Sequence, residues 1–435
     1  MTAVTLLRFL AGRRDAILQI ARTPAAVCLG ALFVLSAGFA REYDAKDLSH
    51  EPWHLAIPLA ASLATSFGLF GLVCAAARPR GLSGRWFFQT YPAFLALYWM
   101  TAPLAWLYAL PVERFLSPAD AARANIALLG IVSAWRVALM VRVLAVLFNT
   151  SWRSTVWVVM LFATTLVLLL LYLAGLPIID IMGGIERTEA EEVVNNVATW
   201  ACFLSLITWP LWLAGVCHLA IFASRQWHWA AEPVRSGSVQ PHLWAVGLAS
   251  VLIWAGVLPF TQPQQRIGRQ VEELMAGRRI EEAVGLMSAH SRHDFPPHWE
   301  PPLPSRRHPD QAPELDVLEV LARVSAADWV RAAFIEQLEL ELRVSHSPPD
   351  AAFPAETGEL DRLLAVLESL PEGREIVRRN ARYFRNLLDM SQETSQEEDP
   401  MLRARIQALL DAAAPPAADS LKIPPSLSGL QTEGE

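Results

Sequence analysis

The stretch from Ala124 to Phe148 reads ANIALLGIVSAWRVALMVRVLAVLF. It is long enough to cross a bilayer as a helix, for which about 20 apolar residues suffice. Arg136 sits near its middle and Arg142 in its second half. No Asp or Glu lies inside any apolar run of the chain to neutralise them. A charge at the bilayer centre costs at least ~2.5 kcal/mol and usually faces a bundle interior or a polar cavity. The stretch therefore implies neighbouring helices.

Those neighbours are visible. Apolar runs recur at 24–40, 54–77, 87–110, 156–176, 198–223 and 243–260, which with 124–148 makes seven expected spans. The expected fold is all-α, a polytopic membrane helix bundle with a C-terminal soluble helical domain. Before the first run, residues 1–23 mix Leu and Ile with Arg8, Arg13, Arg14 and Arg22. That composition fits an amphipathic helix on the membrane surface. A basic leader and an apolar core also mimic a secretory signal, but the leader is long and more spans follow, so an uncleaved first helix is expected. Trp53, Trp86, Trp106, Tyr108, Trp152, Trp157, Trp200, Trp227, Trp229 and Trp244 lie near the ends of the runs. Indole and phenol rings favour the headgroup level.

Charge divides the chain. Residues 1–260 carry 17 Lys/Arg and 13 Asp/Glu; the remainder carries 19 and 30. A lipid-embedded part and an acidic aqueous part follow. The acidic tail makes nucleic acid an unsuitable partner, since phosphate binding needs clustered cations. Of the 36 basic residues 34 are Arg, a bias typical of GC-rich bacterial genomes. Cys28, Cys74, Cys202 and Cys217 all fall in apolar runs and read as small buried hydrophobes.

With the N-terminus in the cytoplasm, the inside segments hold ten Lys/Arg and the outside loops five. The positive-inside rule favours that orientation. Seven crossings then place the C-terminal domain in the periplasm of a bacterial cell with an inner membrane. Within that domain, expected at 264–413, residues 265–290 read as two short helices broken near Gly277. A Pro-rich segment at 294–313 must be extended, because proline lacks the helix N–H. Helical spacing resumes at 314–324, 326–344, 356–370, 372–390 and 399–413. Residues 414–435, rich in Pro, Ala and Ser, are expected to be disordered.

Candidate chemistry centres on Arg136, Arg142 and His218 as an intramembrane polar site. Arg142 lies about 9 Å beyond Arg136 and about 120° around the helix, so the two form no single ridge. As functional groups they would line an anion path or hold a lipid headgroup. As structural groups they would bond backbone carbonyls and Ser or Tyr of neighbours, with Arg142 snorkelling. The structural role is expected to prevail, because buried polar groups must be satisfied in any case. His218 in the sixth run is placed to accept from Arg142; a proton relay would need a carboxylate that the apolar runs lack.

Two clusters have metal-ligand residue types. One is the loop Arg41–His54, with Asp44, Asp47, His50, Glu51 and His54; the other is His290, His293, Asp294, His298 and His308. Neither has the spacing of a known site, and both read as solvated polar segments. The loop IIDIMGGIERTEAEE reads as an acidic helix entrance. No HExxH, GxSxG, Walker or GxGxxG pattern is present. No cofactor, metal site or catalytic residue is therefore expected. The expected role is a non-enzymatic anchor or assembly protein, whose partners are the lipid bilayer and other membrane or periplasmic proteins. A transporter or channel for an anionic or amphipathic solute is the alternative, given six prolines in or beside the runs. A membrane-bound metal hydrolase is the third.

Overall fold

The computed structural model describes residues 1–44, 46–79, 82–174, 189–223, 227–231, 238–302, 311–344, 357–393 and 400–414. Among these residues every regular element is helical and none is a strand. Two compact units divide the chain: Met1–Glu273 with His290–Glu300, and Leu274–Ala289 with Pro301–Glu435.

The first unit opens with two short helices rather than one amphipathic helix. α1 (Ala3–Leu10) and α2 (Arg14–Ala21) are separated at Gly12, whose φ of 71° is a left-handed turn that glycine adopts without a Cβ penalty. Thr2 caps α1 by accepting from the Thr5 amide at 3.1 Å. α1 buries Leu6 and Phe9 and exposes Val4 and Leu7, as an interfacial helix with an outer apolar face does.

Seven longer elements follow: α3 (Ala26–Glu42), α4 (Ala56–Ala77), α5 (Gly84–Trp99), α6 (Pro118–Leu147), α7 (Trp152–Ala174), α8 (Glu189–His218) and α9 (Pro241–Ala276). Six segments are long and apolar enough to cross a membrane: 52–77, 84–114, 118–147, 152–173, 189–222 and 241–276. The chain thus has the architecture of a multi-pass membrane protein. At 17 residues α3 falls just short, reaching about 26 Å. It nevertheless runs alongside α9: Leu29 and Leu32 lie against Gly247, and the Tyr43 ring lies 5.5 Å from that of Trp254. The N-terminal ammonium donates to the Ser238 carbonyl at 2.8 Å, near the start of α9. At the other end Thr261 donates to the carbonyl of Tyr43 at 2.6 Å. α3 therefore lies along α9, and with α2, from which it bends by 104°, it makes up to a seventh span beside the six.

α3 packs on α4 and α5, α6 on α7 and α8, and α4 joins the two groups through α7. Phe33, Phe70, Phe94, Phe148, Val73 and Leu97 are among the buried side chains of this core. The indoles tie helices together as well as marking ends: Trp106 donates to Ser36 at 3.1 Å, Trp99 to Ser62 at 2.9 Å and Trp209 to Thr165 at 2.9 Å. Trp53, Trp152 and Trp200 are exposed, whereas Trp227 and Trp229 pack against Phe148. α8 and α9 leave long apolar rows exposed, including Leu204, Ile207, Leu252 and Ile253.

Element boundaries shift for local reasons. The run 87–110 is helical only to Trp99 and continues as a 3-10 turn over Ala102–Ala109, because Pro103 cannot extend the α-helix. The run 243–260 does not stop where apolarity ends. Its helix continues through Pro259 and Pro263 to Ala276, so the helix expected from 265 is the end of α9, and the break comes at Gly277.

In the second unit α10 (Ile280–Ser288) is followed by α11 (Glu314–Arg323), α12 (Asp328–Val344), α13 (Thr357–Ser369), α14 (Gly373–Arg379), α15 (Ala381–Glu393) and α16 (Pro400–Ala413). The helix expected over 372–390 is split at Asn380, whose buried amide donates to the Ile376 carbonyl at 3.0 Å. Leu318, Val330, Phe334, Leu338, Leu364, Val377 and Phe384 are fully buried and form an apolar interior separate in sequence from the bundle. The C-terminal tail from 415 lies outside the described residues, as does His308.

Candidate functional site

α6 positions the two arginines. Arg136 is half-buried, and its guanidinium carbon lies 5.3 Å from the ring centroid of Tyr98 on α5. The ring's electron-rich face offsets part of the guanidinium charge without a counter-ion. The Tyr98 hydroxyl in turn shares a 3.0 Å hydrogen bond with Thr65 on α4. Arg136 thereby links α6 to α5 and, through the tyrosine, to α4.

Arg142 is exposed and donates through Nε to the Gly12 carbonyl at 3.1 Å. It sits about 8 Å before the end of α6. Trp135, on the same helix, donates to the Leu10 carbonyl at 3.0 Å. Two α6 side chains thus donate to carbonyls of the α1–α2 turn that receive no backbone N–H among the described residues. His218 is exposed and lies against Phe222, ring centroids 4.8 Å apart. Among the described residues it makes no hydrogen bond to Arg142. The arrangement joins Arg136 to α5 and Arg142 to the α1–α2 turn, and it leaves His218 apart from both.

The loop Arg41–His54 gains a role that its spacing did not reveal. It is gripped by the polar extension of α9. Gln262 donates to the carbonyls of Tyr43 at 3.2 Å and Lys46 at 3.0 Å, and Gln265 donates to that of Asp44. Gln262 also accepts from the Ser49 amide at 3.1 Å. Arg269 bonds Asp47 at 3.0 Å, and its other arm meets Glu273. The Asp47 side chain is fully buried and accepts from Ser49 as well, at 2.5 Å.

Two neighbouring carboxyls here titrate in opposite directions. Burial raises Asp44 above the ordinary carboxylate range, although the Tyr43 hydroxyl beside it works the other way. Burial also acts to raise Asp47, but hydrogen bonds from Ser49 and Arg269 and the Arg269 charge outweigh it, leaving Asp47 below the ordinary range. A cavity of about 260 Å³ opens beside this collar, lined by Asp44, Lys46, Glu51, Glu272 and Trp299 among others. Asp47, Gln265 and Arg269, which also line it, are bonded across the collar, which makes the collar a clasp.

A signal for the clasp was present in the sequence. Thr261, Gln262, Gln265 and Arg269 recur at helical spacing directly after an apolar run. Gln265 and Arg269 fell in the helix expected from 265, but Thr261 and Gln262 lay between it and the apolar run ending at 260, so the four were not read as one face. In the tail, His290 approaches Asp294 at 3.8 Å, and Asp294 accepts from the Ser291 amide at 2.8 Å, closing a turn. Among the described residues no three His, Cys, Asp or Glu side chains converge as metal ligands.

No family model, no curated protein and no solved structure matches this chain.

Proposed function

We propose that this chain is a membrane-anchored assembly protein of a bacterial inner membrane. Its bundle holds one helix firmly at the membrane exit, and the helical unit that begins on that helix binds other proteins in the periplasm. The clasp between the 43–49 loop and Thr261, Gln262, Gln265 and Arg269 carries this reading, because it fixes α9 where α9 leaves the apolar region. A buried carboxylate, a paired guanidinium and two side-chain amides that donate three hydrogen bonds are spent on holding that helix. A simple lipid anchor needs none of them.

The orientation follows from charge. Arg8, Arg13, Arg14 and Arg153 belong to the end where Asn149 bonds Arg14, while Asp44, Asp47, Glu51 and Asp120 belong to the other. Under the positive-inside rule the first end is cytoplasmic. α9 then delivers the second unit to the periplasm.

The test is affinity purification in mild detergent of the full chain and of a form ending at Ala276. The assembly reading expects proteins that co-purify with the full chain and are lost from the shortened one. Equal recovery from both, or solute flux through liposomes containing the purified full chain, would replace it.

A further inference from the structure

The α1–α2 turn and α6 enclose a groove of about 340 Å³ lined by Leu10, Gly12, Trp135, Ala138, Leu139 and Arg142. Its chemistry is two-sided. Leu10, Ala138 and Leu139 give an apolar wall, and Arg142 supplies one cation. That cation is held in place but only partly used. Nε is bound to the Gly12 carbonyl, while among the described residues neither terminal nitrogen has a hydrogen-bond or carboxylate partner. The turn is pinned as well, since Trp135 donates to Leu10. Gly12 carries a positive φ, and a Cβ there would lie 3.3 Å from the Arg142 side chain.

The surroundings favour an anion. α1, α2 and the turn between them carry Arg8, Arg13 and Arg14 against one acid, Asp15. Asp15 meets Arg8 and Arg13 only at 3.7 and 3.9 Å. Arg142 lies near the helix end, at headgroup depth for a side chain that reaches outward. A guanidinium fork fits a phosphate, and an adjoining apolar wall fits an acyl chain.

We propose that this groove binds an anionic phospholipid, the phosphate against the terminal nitrogens of Arg142 and an acyl chain along Ala138 and Leu139. The bound lipid fills the seam between the α1–α2 turn and α6, and completes the guanidinium's set of acceptors.

Native mass spectrometry of the full chain in mild detergent tests this, with phosphatidylglycerol and phosphatidylcholine of matched acyl chains as probes. The parent should hold one phosphatidylglycerol at least about tenfold more tightly than phosphatidylcholine. Arg142→Gln should reduce that preference to near unity, and Arg142→Lys should keep part of it as a point charge. Ala138→Trp, at an exposed position, should block the acyl wall and lose the lipid with Arg142 intact. If Arg142→Gln is not monodisperse, Ala138→Trp decides alone. Undiminished phosphatidylglycerol binding in either variant overturns the proposal. So does displacement of the lipid by inorganic phosphate at equal concentration, which would make the site one for a free anion.

Discussion

Replacing Asp47 by Asn tests the clasp at its most buried point. The Asp47 side chain has no exposed surface, and that of Arg269 is 17% exposed. Removing one partner of a fully buried ion pair costs about 3–5 kcal/mol. Two features lower that figure here. Arg269 keeps Glu273 as a second partner, and Asn can still accept from Ser49. A coupling of about 2 kcal/mol is the reasonable expectation, measured as the interaction energy in a cycle of Asp47→Asn, Arg269→Gln and the double variant. Hydrogen exchange by mass spectrometry on residues 43–51 and 262–269 reads the local opening directly. Two kcal/mol corresponds to about 30-fold faster exchange in that segment, with the core of α3–α8 unchanged. The pH dependence has a definite sign. The carboxyl is held below its ordinary value in the folded state, so its contribution is fully present above about pH 4, the unfolded value. It is lost as pH falls through the folded value. Asp47→Asn should therefore resemble the parent in strong acid and differ from it at neutral pH. Exchange unchanged by Asp47→Asn at pH 7, or a coupling under about 0.5 kcal/mol, would show that the ion pair is incidental to the exit.

Three further outcomes are expected. Ser325→Cys, exposed in the second unit, in a chain whose Cys28, Cys74, Cys202 and Cys217 are replaced by Ala, should react with a membrane-impermeant maleimide in cells whose outer membrane has been opened; reaction only after inner-membrane lysis would place the unit in the cytoplasm. Arg136→Leu should lower thermal stability in detergent by the equivalent of about 1–2 kcal/mol, with Arg136→Lys recovering part and Tyr98→Leu showing non-additive loss; an unaffected leucine variant would detach Arg136 from the helix packing. Gly215→Ala should destabilise by about 1–3 kcal/mol, because its Cβ would meet the Trp157 ring at 2.1 Å, and Trp157→Leu should relieve the loss; an additive pair would mean that α7 and α8 separate freely there.

The sequence made the bundle legible because lipid imposes one strong rule: backbone groups must be satisfied within each crossing segment, so crossing segments are long apolar helices. That rule locates helices and says little about their ends. Pro103 truncated α5 while Pro259 and Pro263 left α9 intact, so a proline in an apolar run does not by itself mark a helix end. The partners of Arg136 and Arg142 were foreseeable by type, an aromatic hydroxyl residue and a backbone carbonyl, but not by position. Tyr98 and Gly12 reach α6 only through tertiary packing. The clasp was less visible still. Its anchor points are backbone carbonyls of Tyr43, Asp44 and Lys46, and carbonyls carry no sequence signature.

The disposition of charge has one physical logic throughout the first unit. Among the described residues the ion pairs of this unit belong to the loops, the N-terminal helices and the aqueous ends of helices, as in Arg123 with Asp120 and Glu189 or Arg269 with Asp47. Inside the apolar runs the guanidinium of Arg136 meets a neutral group instead. A carboxylate there would add a second desolvation cost of several kcal/mol, recovered only with excellent geometry. A π-face adds none, and arginine cannot escape by losing its proton. Arg142, closer to the interface, follows the same pattern for one of its nitrogens and departs from it for the other two. The phospholipid proposed for the groove would supply the acceptor that those two nitrogens lack among the described residues. Arg136 is covered by the Tyr98 ring, whereas Arg142 lines an open groove beside Gly12.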